Sequence, residues 1–424
     1  MLVTEPRQVD WPLAASLRGS SKAYRLTLGA IFGLAVLVRL ATLAVLGPKL
    51  AIDSQSYLVQ GAEILRQGPL SFLSFAAEQS PLYSLLFSVC VAVAGPNAGW
   101  AVGVVQAFLG GFTALLLASF TTRATGNRVA GALAGLIAAV HVTFVFWSRY
   151  VLTDTLLLLL LAGLMWVLLA LTATRRPLLY GLITSALLLL LVLTRRTNVL
   201  AAGVLLVLAV VLGRKRRPAL AGLIVPVVLG LAVLASGAMR ARTGSALLDR
   251  GGAYAWQAIY MGLQWNEQGR GTIGVDVHLS EIPDDAERGA FYRDESLTWI
   301  RSDPAYFAAQ AARKFKVLWL PYLPEDSTIH RMISALYLLP LYALGVWGWL
   351  RSRAIPAFLA ITTVGIAVFT LVCLVTFVDY DQRYRLPAEL FLIPLSAVGL
   401  ERALAWLGTI SFERVPRAHR ASTG

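Results

Sequence analysis

The stretch "SPLYSLLFSVCVAVAG" (residues 80–95) sets the topology of everything after it. Its apolar part, 81–95, is about 15 residues and as a helix would reach about 22 Å. A crossing helix needs roughly 20 residues to span about 30 Å of hydrocarbon. Ten longer apolar runs lie near 26–47, 99–120, 129–148, 152–173, 178–194, 197–213, 218–238, 330–350, 354–378 and 386–409. Whether 81–95 crosses sets the side of every loop after it. Cytoplasmic loops carry an excess of Lys and Arg. The leader holds Arg7, Arg18, Lys22 and Arg25, so the N-terminus reads as inside. If 81–95 crosses, "RRP" (175–177), "RKRRP" (214–218), "RSR" (351–353) and "FERVPRAHR" (412–420) all fall outside. If it lies in the interface, all four fall inside, with Arg123 and Arg128. The charges favour a membrane-lying helix with Ser80 as N-cap and Pro81 at N1. Ten crossings follow, with both termini cytoplasmic.

Composition agrees with this class. Of 424 residues 57% are hydrophobic and 14% charged, and the mean hydropathy is +0.68. That is an all-α polytopic membrane protein, not a soluble domain. The net charge of +14 sits mostly in short tracts between apolar runs, so it reads as topology and not as a nucleic-acid surface. Cys90 and Cys373 lie inside apolar runs and imply neither disulfide nor metal. The four histidines are scattered, and the sequence calls for no cofactor. The run 26–47 follows a long charged leader and contains Arg39, which reads as a retained anchor and not a signal peptide.

The chain divides into a leader (1–26), an N-terminal membrane module (27–238) with a first external loop (48–98), a large external loop (239–329), C-terminal membrane helices (330–409) and a tail (410–424). The large loop carries ten Lys/Arg and twelve Asp/Glu, a soluble-like balance. Helices are expected near 284–302 and 304–319, the second with Asp303 as N-cap and Pro304 at N1. Its end, "ARKFKVLW", reads as a return to the interface with Trp319 as anchor.

Chemistry should sit on the external membrane face. Outside the large loop its acids are Asp53, Glu63, Glu78, Asp154, Asp379, Asp381 and Glu389. Arg149, Arg195, Arg196, Arg383 and Arg385 lie there against the positive-inside bias, and a bound anion is one reason for them. Asp53 opens an amphipathic stretch, with Tyr57, Leu58, Ala62, Ile64 and Leu65 at helical spacing. It reads either as a helix N-cap or as a carboxylate placed to take a proton from a hydroxyl. Asp154 opens a crossing, where the helix dipole favours its ionised form; the alternative is a cap shared with Thr153. Arg149, five residues earlier, is a partner for Asp154 or for a ligand. Arg39 within the first helix is best explained by structural pairing, and His141 by packing. "RRTN" (195–198) has turn chemistry. "DYDQRYRLP" (379–387) packs two acids and two arginines beside a crossing, and arginine forks match phosphate oxygens.

In order, "VLVRLATL" (36–43), "DSQSY" (53–57), the 80–95 block, "VLTDTLLLLL" (151–160), "LTRRTNVL" (193–200) and "QRYRLPAELFLIPL" (382–395) resemble the motifs of the GT-C superfamily. These are glycosyltransferases that depend on polyprenyl-phosphate sugars; the protein O-mannosyltransferase and lipid A aminoarabinose transferase branches look nearest. The first motif reads "DSQ" where many relatives carry two adjacent acids, so metal binding is not implied. The resemblance implies a GT-C-like bundle and inverting transfer of a sugar from a polyprenyl-phosphate donor. The acceptor would be a hydroxyl of a lipid, glycan or protein. Asp53 would be the general base, and Asp154 would position the acceptor or an arginine. Arg383 and Arg385, with Arg195 or Arg196, would hold the leaving phosphate. Arg149, Tyr57 and Glu78 would line the substrate site. The bundle would hold the lipid tail, and the large loop would select the acceptor. Three other readings compete, one of them a noncatalytic assembly partner that fits the hydropathy equally well. A polysaccharide ligase or polymerase using lipid-pyrophosphate glycans would also use external arginines, but not the early aspartate with its interfacial helix. A transporter would show polar or broken midplane helices and often repeated halves.

Overall fold

The computed structural model describes residues 21–69, 71, 80–195, 197–215, 218–223, 256–263, 285–322, 327–376 and 383–413. These residues form helices and turns, with one isolated parallel bridge between Lys49 and Tyr150. The labelled helices are α1 (Ser21–Leu46), α2 (Ile52–Gln67), α3 (Pro81–Ala94), α4 (Ala98–Thr125), α5 (Arg128–Val140), α6 (Val142–Trp147) and α7 (Asp154–Leu171). They continue with α8 (Pro177–Thr194), α9 (Asn198–Gly213), α10 (Asp285–Ser302), α11 (Pro304–Trp319), α12 (Thr328–Arg351), α13 (Pro356–Val375) and α14 (Leu386–Glu413).

Among the described residues seven helical stretches are long and apolar enough to cross a membrane, and α5 and α9 are shorter apolar helices. These nine correspond to nine of the ten expected crossings. The tenth, 218–238, lies outside the described residues beyond 223. The chain is therefore an all-α, multi-pass membrane protein. The run expected at 129–148 is not one helix: it breaks at His141, whose backbone turns to ψ 111°. Asn127 starts α5 by accepting hydrogen bonds from the Val129 and Ala130 amides. Gly126 makes the preceding turn possible, because its φ of 69° suits a residue without Cβ.

α7 is the centre of the bundle. It has no polar face, and 14 of its 18 residues are buried, so it must be surrounded by other helices. The α12–α14 pair packs with backbones close together. A Cβ on Gly348 would overlap the Leu395 carbonyl, and one on Gly399 would overlap the Leu344 carbonyl. Small residues allow such approach where apolar lipid offers no hydrophobic drive between helices.

α3 packs along the first part of α4. Near its start the Tyr83 hydroxyl donates to Gln106 Oε1 at 3.2 Å, and its end runs through residues 95–97 into α4 at Ala98. It thus lies beside only the first part of α4 and does not reach the Arg123 end. Ser80 occupies the N-cap position with Pro81 after it, but its side chain makes no capping bond. α2 buries Ser54, Tyr57, Gln60, Gly61 and Ile64 on one face, while Leu58 and Leu65 stay exposed. α10 and α11 match the two helices expected in the large loop. The Asp303 side chain caps α11 through the Tyr306 amide at 2.8 Å.

Candidate active site

Backbone stitching brings the first loop onto the start of α7. The Lys49 amide donates to Arg149 O at 3.1 Å, and the Val151 amide donates to Lys49 O at 3.0 Å. Ser54 Oγ accepts from the Ala51 amide at 2.8 Å and donates to Val151 O at 2.8 Å. From below, the Gln106 amide donates to Ser148 O at 2.9 Å and Tyr150 O at 2.7 Å. Residues 49–54 and 148–151 are thereby fixed to each other. Ala51, not Asp53, is the N-cap of α2. Of the two readings of Asp53, the cap falls away: Ser54 supplies the capping chemistry and leaves the Asp53 carboxylate for other partners.

Those partners come from the far end of the chain. Arg383 Nη2 donates to Asp53 Oδ2 at 3.0 Å, across 330 residues of sequence. Arg383 Nε stands 3.5 Å from Asp154 Oδ2, and Arg195 Nη1 stands 3.7 Å from Asp154 Oδ1. Each oxygen of Asp154 thus faces a different arginine. Neither Arg383 Nε nor Asp154 Oδ2 completes a hydrogen bond, so the cluster keeps unused polar capacity. The four side chains carry two formal negative and two formal positive charges. Their accessibilities differ: the Asp53 side chain is 36% exposed and that of Asp154 is 3%.

Two aromatic residues frame the cluster. Arg195 and Arg383 lie over the Tyr384 ring, 5.1 and 5.3 Å from its centroid. Tyr57 is buried against Tyr83, their rings edge to face at 4.9 Å. Burial, and then the nearby Asp53 carboxylate, push the Tyr57 hydroxyl up to about 12, so it remains a neutral donor at working pH. The "RRTN" turn does hold by its own chemistry, since the Asn198 side chain donates to Leu191 O at 3.0 Å. That turn aims Arg195 at Asp154.

Two expected ligand arginines are committed elsewhere. Arg385 is fully buried; it pairs with Glu389 and donates from Nη1 to Leu318 O at 3.1 Å and Leu320 O at 2.7 Å. Glu389 in turn lies 3.6 Å from His141 Nε2. Arg385 therefore belongs to an internal network and does not join the Asp53 cluster. Arg149 caps the end of α1, donating to Leu46 O at 3.3 Å and Gly47 O at 3.4 Å, while stacking on Phe146 and Tyr150. Arg39 is structural, as expected: it donates to Ala138 O and Ala139 O, the last carbonyls of α5 before the break. Arg196, Glu78, Asp379 and Asp381 lie outside the described residues. Among the described residues no three His, Cys, Asp or Glu side chains are grouped to hold a metal ion. Sequence reasoning missed Tyr384 and the Arg385–Glu389 pair. The second had a signal, an Arg four residues before a Glu at the head of an apolar run.

No family model and no curated protein matches this chain in sequence. Among solved structures, the archaeal oligosaccharyltransferase AglB from Archaeoglobus fulgidus, in complex with an inhibitory peptide and a dolichol-phosphate, is similar in helix arrangement. The likeness has 13% identity and a TM-score of 0.43, over 82% of this chain and 44% of that one. This chain thus spans less than half the length of that structure, and no site residue is carried over from it.

Proposed function

We propose that this chain is a membrane glycosyltransferase acting on the external face of a cell membrane. It would move a sugar from a polyprenyl-phosphate donor to a hydroxyl of a lipid, glycan or protein acceptor, with inversion. One observation carries the reading. Two carboxylates and two arginines from four separate segments converge at one end of the bundle, at the mouth of membrane-length helices. The motif order of the sequence supports the same class.

The roles follow from accessibility and charge. Asp53 is the exposed carboxylate and the general base. Asp154 is buried, so it anchors Arg195 and Arg383 and does not meet the acceptor. The donor phosphate takes Arg383, whose fork suits phosphate oxygens better than a point charge would. Drawing Arg383 toward phosphate loosens its bond to Asp53 and frees that carboxylate for the acceptor. The acceptor O–H proton then passes to Asp53 as the oxygen bonds to the anomeric carbon. The bond from that carbon to the phosphate oxygen breaks, and its electron pair leaves with the polyprenyl phosphate. Arg383 and Arg195 stabilise the growing negative charge on the leaving group.

The test is lipid extraction of the purified protein followed by mass spectrometry. A co-purified polyprenyl-phosphate sugar is expected from the wild type and should be depleted in Arg383→Ala. Its absence from the wild type, together with no sugar transfer from added polyprenyl-phosphate sugars, would overturn the proposal.

A further inference from the structure

Arg383 needs its own support, because it sits on a single 3₁₀ turn (Arg383–Arg385) between α13 and α14. The support comes from α11, in the large loop. Lys314 of α11 is 1% exposed, and its Nζ donates to Leu374 O at 3.1 Å and Thr376 O at 2.7 Å. Those are the last carbonyls of α13, just before residues 377–382. At the end of the same helix, Leu318 O and Leu320 O receive Nη1 of Arg385, just after those residues. One helix therefore grips the chain on both sides of the segment that leads to Arg383. We propose that α11 is a strap that fixes the Arg383 turn, with Lys314 and Arg385 as positioning residues for the donor arginine. This rests on reading Arg383 as the ligand of the donor phosphate.

Packing alone does not explain these residues. A buried lysine pays for desolvation, and Leu or Met would fill the same space without that cost. What an ammonium adds is two directed bonds to helix-terminal carbonyls, which carry partial negative charge. A third element meets the same point. A Cβ on Gly262 would overlap the Thr376 carbonyl oxygen and lie 2.8 Å from Lys314 Nζ. The helical segment 256–263 is itself tied to α11, since the Tyr306 hydroxyl donates to Leu263 O at 3.3 Å. Two parts of the large loop thus converge on the root of the Arg383 segment.

The test uses two variants that attack one contact from two elements, Lys314→Met and Gly262→Ala, in the full-length protein in detergent. Hydrogen exchange is read on peptides covering 371–388, with α7 as the reference for global folding. Affinity is read with farnesyl phosphate, a short polyprenyl phosphate without sugar. In both variants exchange over 371–388 should rise while α7 keeps its protection. Farnesyl phosphate should bind about tenfold more weakly, the order expected for losing one charge-assisted bond. Unchanged exchange in both variants overturns the strap. Raised exchange with unchanged affinity overturns the positioning role, provided Arg383→Ala does weaken binding. If Arg383→Ala also leaves affinity unchanged, the donor-site reading itself has failed, and the positioning role falls with it. Should Lys314→Met fail to fold, Gly262→Ala, which retains the lysine, decides by the same two measurements.

Discussion

Replacing Asp53 by asparagine separates the base from the architecture around it. Asp53 does not cap α2, so the substitution leaves the Ala51–Ser54 capping pair intact. It does remove the negative partner 3.0 Å from Arg383. Arg383 keeps Asp154 at 3.5 Å, so no buried charge is orphaned. The lost pair is part-exposed on the Asp53 side, and such pairs contribute about 0.2–1 kcal/mol after screening. Stability should therefore fall by no more than about 1 kcal/mol. Catalysis should fall far more, because losing a general base typically costs about 10²–10⁴ in rate. At 1.36 kcal/mol per decade that is about 3–5 kcal/mol of barrier. Farnesyl phosphate should bind the same or up to about fivefold tighter, because a competitor for Arg383 has gone. The assays are thermal unfolding in detergent, farnesyl phosphate affinity, and turnover with a polyprenyl-phosphate sugar. Turnover within about threefold of wild type would refute Asp53 as base. Binding tenfold weaker would refute competition between Asp53 and phosphate for Arg383.

Five further outcomes are expected. Arg383→Ala should weaken phosphate binding about ten- to hundredfold with little loss of stability, and Arg383→Lys should recover only part of it. Arg385→Ala should weaken phosphate binding through the loosened Arg383 turn and should also lower stability by about 3–5 kcal/mol, because it takes the ionic partner from buried Glu389, as read by thermal unfolding. Gly348→Ala should cost about 1–3 kcal/mol through overlap with the Leu395 carbonyl, whereas Gly33→Ala, with nothing within 4 Å, should be neutral. Burial lowers Lys314 to about 8, against about 10.4 when unfolded, so the unfolded state binds more protons between those values. Stability should rise with pH across that window, and Lys314→Met should flatten the slope. For sidedness, Gly126→Cys and Arg176→Cys should resist an impermeant thiol reagent in intact cells while Gly269→Cys reacts; labelling at 176 would overturn the ten-crossing reading and restore 81–95 as a span.

The membrane helices were legible because their signal is length of apolar sequence, which no tertiary contact can disguise. So was the start of α11, where Asp303 and Pro304 act locally. The site was legible in part. Asp53, Asp154, Arg195 and Arg383 stand out as charges at the ends of apolar runs, and such charges need partners. Which arginine faces the site was not legible. Arg383 and Arg385 are two apart on a 3₁₀ turn of three residues, so they point to different sides, and sequence alone gives no way to choose. Their directions are set by α11 and Glu389 on one side and by Asp53 and Asp154 on the other. Arg149 was opaque for a similar reason, since its partners are carbonyls at the end of α1, about a hundred residues away. The break at His141 left no mark on hydropathy, because the run is apolar on both sides of it.

The partners of the cations sort them by role. Arg39, Arg149 and Lys314 donate to carbonyls at the ends of α5, α1 and α13, and Arg385 divides its bonds between such carbonyls and Glu389. A carbonyl at a helix end is fixed by its own backbone and has no partner within its helix. Moving Arg39, Lys314 or Arg385 onto a ligand would orphan buried acceptors, at about 1–3 kcal/mol each. Arg195 and Arg383 are different. Among the described residues their ionic partners are Asp53 and Asp154, and Asp53 can turn to solvent or to an acceptor hydroxyl when its arginine is drawn away. An incoming phosphate can therefore take Arg383 without unmaking a helix end. On the proposed mechanism the same exchange would release Asp53, the more exposed carboxylate of the pair, so donor binding and activation of the base would be a single electrostatic event.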